Sequence, residues 1–187
     1  MLSTAVFDLE TSDLEADKGI ILCGCIKSSK SNKILTIRTD ETNPNWKKGL
    51  RGNDKATVQL IAAELSKHDV LVAHNGNRFD VPFLRTRLLR WGLPRFPEMK
   101  LVDPMLIAFR KLRLRSNGLG NLSDHIGVAD RKTPLYLSLW MDAILNGSRS
   151  AMDSIVEHCV ADVKVLEGVL ELTKPYIKLL DGQGSSL

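Results

Sequence analysis

The sequence of 187 residues lacks the features of membrane and secreted proteins. No apolar run reaches the roughly 20 residues that a membrane-spanning helix needs. A secretory signal begins with basic residues and an apolar core, whereas this chain opens on a strand-like segment that carries Asp8 and Glu10. We therefore expect an intracellular, cytoplasmic protein that makes no membrane contact.

Cysteine is scarce, with three residues and no pair spaced as C-x-x-C. Cys23 and Cys25 lie in a predicted strand and Cys159 in a predicted helix. An odd count does not suggest a disulfide framework, and the ligands for a zinc site are too few. We expect three buried free thiols.

The chain also lacks internal repeats, low-complexity blocks and a boundary that would indicate a second domain. We expect one domain over residues 1–181 and a flexible tail over residues 182–187. The net charge of +4 is mild evidence for a polyanionic partner.

Hydrophobic patterning predicts strands over residues 3–11, 20–26, 34–38, 70–73 and 100–102. Helices are predicted over residues 54–67, 80–91, 103–113, 122–126 and 135–145, and from about residue 150 onward, with Pro175 kinking or restarting the last one. Residues 40–53 are predicted to be a loop. Three opening strands followed by alternating helix and strand indicate a mixed α/β sheet with helices on both faces.

Helix caps account for some acidic residues. Asn53 or Asp54 is predicted to cap the first long helix. Asp103 precedes Pro104, a pattern more typical of a helix start than of a metal ligand.

Asp8 and Glu10 are two apart in the first strand and therefore point to one face, while Phe7 and Leu9 point to the other. Parallel carboxylates at the end of a buried strand are costly unless a cation lies between them, and a divalent metal is the natural candidate. A solvated strand end is the alternative interpretation.

Two further acids follow buried or helical segments. Asp80 stands where a buried strand leads into a helix, a common place for functional groups in α/β sheets. His158 and Asp162 are four apart and share a helix face. Singly, Asp80 could be a helix cap and Asp162 an ion-pair partner; together the four acids indicate one site.

These segments resemble a known family. Phe7-Asp8-Leu9-Glu10-Thr11, then His74-Asn75 with Phe79-Asp80, then His158-x-x-x-Asp162 resemble the three motifs of the DEDD, or DnaQ-like, 3′-to-5′ exonuclease superfamily. The resemblance covers nearly the whole chain. It implies a ribonuclease-H-like fold, with three antiparallel strands followed by parallel strands, and is nearest to stand-alone relatives of polymerase exonuclease domains from bacteria and phages.

By this resemblance Asp8, Glu10, Asp80 and Asp162 would hold two Mg²⁺ or Mn²⁺ ions. His158 would take a proton from the attacking water, and nucleoside 5′-monophosphates would leave the 3′ end. Single-stranded DNA is the expected substrate, with a polymerase or another replication or repair protein as a possible partner. An exoribonuclease and a catalytically weak nucleic-acid-binding module are the alternatives.

The histidine departs from the family pattern. Histidine usually stands five residues before the last aspartate and tyrosine four, whereas His158 stands four before Asp162. A structural histidine is therefore the rival interpretation of His158. His74 is expected to shape its loop.

The resemblance also implies substrate contacts. Thr11 would lie near the terminal sugar, and Asn75 and Phe79 beside the last bases, although Phe79 could equally be a core residue. Lys132 matches a lysine of some polymerase-type exonucleases. Seven basic residues could contact phosphates or form solvated helix faces: Arg85, Arg87, Arg90, Arg110, Lys111, Arg113 and Arg115.

Overall fold

One sheet organises the fold. Its five strands are β1 (Thr4–Thr11), β2 (Ile21–Ser28), β3 (Ile34–Arg38), β4 (Val70–Val72) and β5 (Lys100–Val102). They lie in the order β3-β2-β1-β4-β5. The computed structural model describes residues 2–131 and 136–181, so the predicted tail at residues 182–187 lies outside the described chain.

The strand pairing is mixed, as the sequence predicted. β2 is antiparallel to both β1 and β3, whereas β4 is parallel to both β1 and β5. In β1, Asp8 stands opposite Cys25 and Glu10 opposite Cys23. The β1–β4 pairing ends at Val6, so the second half of β1 is flanked by a strand on only one side.

Within the described residues, seven α-helices surround the sheet: α1 (Thr39–Thr42), α2 (Lys55–Leu65), α3 (Asp80–Arg90), α4 (Pro104–Lys111), α5 (Leu119–Ile126), α6 (Leu137–Met141) and α7 (Arg149–Asp181). α2 and α3 pack on one face of the sheet. α4, α5 and α7 pack on the other. The predicted α/β fold with helices on both faces is confirmed.

The alternation of β1 divides its side chains between the two faces. Phe7 and Leu9 join the core beneath α2 and α3, while Val6 joins the core beneath α7. Asp8 and Glu10 share the direction of Val6, because strand side chains repeat every two residues. The two acids therefore point toward α7.

Three details differ from the predicted elements. The loop predicted over residues 40–53 contains the end of α1 and a 3₁₀ turn at Trp46–Lys48, because Trp46 is buried in the core. The helix predicted over 135–145 is the short α6 followed by a π-helical turn at Asp142–Asn146. α7 continues through Pro175 as one helix, so no restart occurs there.

The sequence predicted Asn53 or Asp54 as the cap of α2. Asp54 is the N-cap residue by position, but its carboxylate makes no capping hydrogen bond. Asp54 is fully buried and accepts hydrogen bonds from Ile21 N (2.9 Å), Arg87 Nε (3.0 Å) and Nη2 (2.7 Å), and Trp91 Nε1 (2.7 Å). The side chain of Asn53 instead accepts a hydrogen bond from the N–H of Lys55 at the start of α2. We call the contacts of Asp54 with Arg87, Trp91 and Ile21 the Asp54 network.

The arginines of α3 also have internal partners. Arg87 is buried in the Asp54 network and cannot reach a phosphate. Arg85 pairs with Glu98 at 2.8 Å, and the guanidinium of Arg90 lies 5.4 Å from the centre of the Trp91 ring. Phosphate contacts through Arg87 are therefore excluded. Among the described helices, none is both long and apolar enough to span a membrane.

Candidate active site

Three separate elements bring the four predicted acids together. Asp8 and Glu10 come from the second half of β1, Asp80 from the first residue of α3, and Asp162 from the middle of α7. We call these four residues the acid cluster. Asp80 and Asp162 are buried, with exposed fractions of 3% and 5%, and the other two are partly buried.

Asp80 is placed by the end of the parallel pairing. Its Oδ1 accepts a hydrogen bond of 3.1 Å from the N–H of Leu9. Leu9 is three residues beyond Val6, the last residue of β1 that pairs with β4. The carboxylate of Asp80 therefore lies against the part of β1 that β4 leaves uncovered. Because Leu9 stands between Asp8 and Glu10, this contact places Asp80 beside both.

The electrostatics of the acid cluster show how closely its members approach. Burial raises the pKa of Asp8 well above its usual value of 3.8. Neighbouring carboxylates raise it further: Asp80, Glu10 and Asp162. Burial also raises the pKa of Asp80 to about 7, against the lowering effect of the Leu9 hydrogen bond.

His158 lies between two members of the acid cluster. Its Nε2 is 3.7 Å from Glu10 Oε1 and 3.8 Å from Asp162 Oδ2. The side chain of His158 keeps 12% of its surface exposed. The predicted helix face shared by His158 and Asp162 is therefore the face of α7 that meets β1.

Asp103 organises the loop that carries Asp80, a role that the sequence did not reveal. It accepts the N–H of Met105 (3.0 Å), which confirms the predicted cap. The same carboxylate accepts the N–H groups of Asn75 (2.9 Å) and Asn77 (3.3 Å) across 28 and 26 residues. Asn75 has the left-handed φ of 63°, which is uncommon outside glycine. Asp103 thus ties the end of β5 to the Asp80 loop.

The same loop contains two more restraints. A side chain on Gly76 would place its Cβ 2.5 Å from the Cβ of Ala73, so only glycine fits this turn. His74 Nε2 lies 2.9 Å from the backbone oxygen of Asn117, in the segment between α4 and α5. His74 therefore shapes the loop and joins it to a second segment, consistent with its predicted role.

The predicted substrate residues lie around this loop and the end of β1. Thr11 ends β1 beside a register shift, and its hydroxyl donates to the backbone oxygen of Asp13. Phe79 is partly buried, with its ring 5.7 Å from that of Phe83. It lines a groove of about 260 Å³ between residues 14–17 and the start of α3. Lys132 lies outside the described residues.

The donor chemistry of the acid cluster suits hard divalent cations, which prefer carboxylate oxygens. Burial, and then the neighbouring carboxylates, raise the pKa of Asp8, and a bound cation would favour the ionised carboxylate against both effects. Within the described ranges, no group of three or more His, Cys, Asp or Glu side chains has the arrangement of a formed metal site. The residues therefore fit a divalent metal by the type of their donor atoms.

Sequence comparison relates the chain to DNA polymerases. It is 36% identical over 67 residues to "DNA polymerase III PolC-type" from Ureaplasma parvum serovar 3, covering 36% of this chain and 5% of that protein. It is 25% identical over 96 residues to a DNA polymerase of Methanocaldococcus jannaschii, covering 49% of this chain and 6% of that protein. The chain thus matches a small part of each relative.

Comparison with solved structures finds a similar fold within a DNA polymerase. The family B DNA polymerase from the hyperthermophilic archaeon Pyrobaculum calidifontis superposes with a TM-score of 0.74 at 16% identity. The superposition covers 94% of this chain and 25% of that one. A family model of the RNase_H superfamily matches residues 5–173, which include every member of the acid cluster. The chain belongs to the RNase_H superfamily.

Proposed function

We propose that the chain is a metal-dependent 3′-to-5′ exonuclease that acts on single-stranded ends, with DNA preferred, and releases nucleoside 5′-monophosphates. One observation carries the proposal: four carboxylates from three distant segments meet beside the second half of β1, with His158 within 4 Å of two of them. Such an arrangement is costly to a fold and serves a site that handles cations and phosphates.

Asp8, Glu10, Asp80 and Asp162 would hold two Mg²⁺ or Mn²⁺ ions. Bound there, divalent ions would stabilise the negative charge that develops on a phosphodiester during hydrolysis. The protein contributes rigid placement of the four carboxylates, because β1, α3 and α7 are each anchored in a core on one face of the sheet.

His158 is the proposed general base. Its Nε2 faces the carboxylates of Glu10 and Asp162, which would stabilise the imidazolium that forms when the ring accepts a proton. The partial exposure of the ring leaves a path for water. Because His158 and Asp162 are four residues apart, they lie on the same face of α7, and the ring of His158 is next to the carboxylate of Asp162.

Relatedness to DNA polymerases supports DNA over RNA as the substrate. The groove beside Phe79 supports a contact with bases near the 3′ end, because an exposed ring face can stack on any base. Thr11, at the end of β1, and Asn75, in the loop that carries Asp80, are the other proposed contacts of the terminal nucleotide.

The decisive experiment uses a single-stranded DNA and an RNA of the same sequence, each labelled at the 5′ end, with Mg²⁺, Mn²⁺ or EDTA. We expect a metal-dependent ladder that shortens from the 3′ end, faster on DNA. A circular single-stranded DNA is the matched control and should remain intact.

Other outcomes contradict parts of the proposal. Faster degradation of RNA would make the protein an exoribonuclease. Cleavage of the circle would indicate an endonuclease. Binding without cleavage in either metal would leave a nucleic-acid-binding module of this fold.

A further inference from the structure

A second charged region lies outside the acid cluster. From Pro104 to Ser123 the chain has four basic residues and no acidic one. The basic residues follow the exposed ring of Phe109, which has 72% of its surface accessible. We call Phe109, Arg110, Lys111, Arg113 and Arg115 the basic segment.

The four cations of the basic segment differ from most arginines of this protein. All four are exposed, and no described residue forms an ion pair with any of them. In contrast, Arg38, Arg87 and Arg149 each pair with at least one carboxylate. Uncompensated positive charge therefore accumulates over six consecutive positions.

A helix end explains only part of this charge. Arg110 and Lys111 lie in the last turn of α4, where cations are stabilised by the helix dipole. Arg113 and Arg115 lie beyond the helix, so the dipole gives no reason for them. A solvated helix terminus therefore accounts for two of the four basic residues.

The conformation beyond α4 holds these two arginines outward. Leu112 is extended, and Leu112 and Leu114 pack against the core beneath α7. Arg113 and Arg115 alternate with them and are exposed, as expected for an extended segment with one buried side. The two guanidinium groups therefore project from the same side of an anchored segment.

The segment leads toward the acid cluster. Two residues after Arg115, the backbone oxygen of Asn117 lies 2.9 Å from His74 Nε2 in the loop that carries Asp80. At its other end, α4 begins at Asp103, which holds that same loop. Asp103 and Asn117, which flank α4 and the basic segment in the chain, thus both contact the Asp80 loop.

We propose that the basic segment binds the phosphates of a single-stranded nucleic acid upstream of the bond to be cleaved. The proposal rests on the proposed exonuclease function and adds a strand-holding site to it. The guanidinium groups suit phosphate oxygens, and Phe109 offers a ring face to a base. The segment would hold long substrates and make no contact with a substrate of one nucleotide.

The test removes the four positive charges of the basic segment and compares this variant with one that loses four positive charges elsewhere on the surface. One variant carries Arg110→Gln, Lys111→Gln, Arg113→Gln and Arg115→Gln. The control carries the same loss of charge at four exposed lysines that also have no ion pair with a described residue: Lys30, Lys33, Lys47 and Lys48. Binding of a fluorescent 20-nucleotide single strand is measured in EDTA over a range of salt.

Counterion release predicts the result. Each phosphate contact contributes about 0.7 to the slope of log K against log salt for single strands, so loss of four contacts should lower the slope by about 3. We expect the control to keep the wild-type slope. An unchanged slope in the first variant overturns the proposal and favours an acidic protein partner for this surface.

A mononucleotide substrate separates this proposal from the proposed function. Hydrolysis of the p-nitrophenyl ester of thymidine 5′-monophosphate requires the acid cluster and does not reach the basic segment. We expect the first variant to hydrolyse it at the wild-type rate while its KM for the 20-mer rises at least about tenfold. An equal loss on both substrates would overturn the strand-holding role. If the wild type hydrolyses neither substrate, the proposed function fails, and the salt slope still decides the role of the segment.

Discussion

Two regions of this protein bury carboxylates, and the groups around those carboxylates differ. In the Asp54 network, one fully buried carboxylate meets a guanidinium, an indole N–H and a backbone N–H. In the acid cluster, carboxylates meet one another, and burial together with mutual repulsion raises the pKa of Asp8. The first region satisfies a buried charge within the protein, while the second groups carboxylates whose mutual repulsion an added divalent cation would relieve.

The difference separates structural from functional acids without reference to any relative. A buried carboxylate with a full set of donors stabilises the fold as long as its partners stay in place. Buried carboxylates that repel one another cost stability, and such groups are candidates for functional sites. Substitutions should therefore reverse their effects between the two regions.

The largest effect is expected for Asp80→Asn on catalysis. Loss of one proposed metal-binding carboxylate should lower the rate of DNA hydrolysis by at least about a thousandfold, while the thermal midpoint in EDTA is kept or rises. The same result is expected for Asp8→Asn. Initial rates on the 5′-labelled strand measure it, with the exposed Glu171→Gln as control. Near-normal turnover in either variant would contradict the assignment of the site.

His158→Ala should cause the next largest loss of hydrolysis rate. A general base contributes roughly 10² to 10⁴ to a rate, so we expect a loss in this range with metal affinity retained. Titration with Mn²⁺ separates the two effects. His125→Ala, at the exposed end of α5, is the control. Full activity of His158→Ala would make the ring a structural histidine.

Substitution of Asp54 should lower the stability of the fold, in contrast to substitution of Asp80. Asp54→Ala leaves the guanidinium of Arg87 buried without its partner, which should lower the free energy of unfolding by about 3–5 kcal/mol. Urea unfolding measures this change. Asp153→Ala, which removes a partly exposed partner of Arg38, should cost less than about 1 kcal/mol. A loss for Asp54→Ala no larger than that for Asp153→Ala would show that the Asp54 network does not stabilise the fold.

The pH dependence of stability should sharpen the comparison. The pKa of Asp80 is raised from 3.8 to about 7 in the folded protein. Between these values the folded state keeps a proton that the unfolded chain has lost, so the free energy of unfolding falls as the pH rises from 4 to 7. The loss should reach about 4 kcal/mol and level off above pH 7.

Urea unfolding in EDTA at successive pH values checks this slope. Asp80→Asn removes the titrating group, so its slope over the same window should be smaller and its stability at pH 7 higher than that of the wild type. Stability that increases from pH 4 to 7 would show that Asp80 is ionised at no cost in the fold.

The smallest effect is expected for Asp103→Asn. The amide keeps one accepting oxygen and turns an N–H₂ group toward a backbone N–H of the Asp80 loop, which should cost about 1–3 kcal/mol. Urea unfolding measures the loss, with the exposed Asp124→Asn as control. An unchanged midpoint would show that the left-handed Asn75 holds the loop without Asp103.

Local patterns were sufficient for the strands and for the side-chain directions of the acids in β1 and α7. The alternation in β1 directs Asp8 and Glu10 to one face of the sheet. The spacing of four residues puts His158 and Asp162 on one face of α7, which packs against that face of the sheet. These periodicities are properties of the backbone itself, so they can be read without knowing the fold. The predicted loop at residues 40–53 was incomplete, since the burial of Trp46 depends on the core that α7 completes.

What the sequence alone determined is therefore the set of elements and the direction of their side chains. Only the tertiary structure decided which donors meet Asp54 across 33 residues and which loop Asp103 holds across 28. Asn53, Asp54 and Asp103 all resemble caps locally, because a short polar side chain before a helix looks the same in each case. The hydrogen-bond partners that distinguish them come from distant segments, and chain topology rather than local propensity brings those segments together.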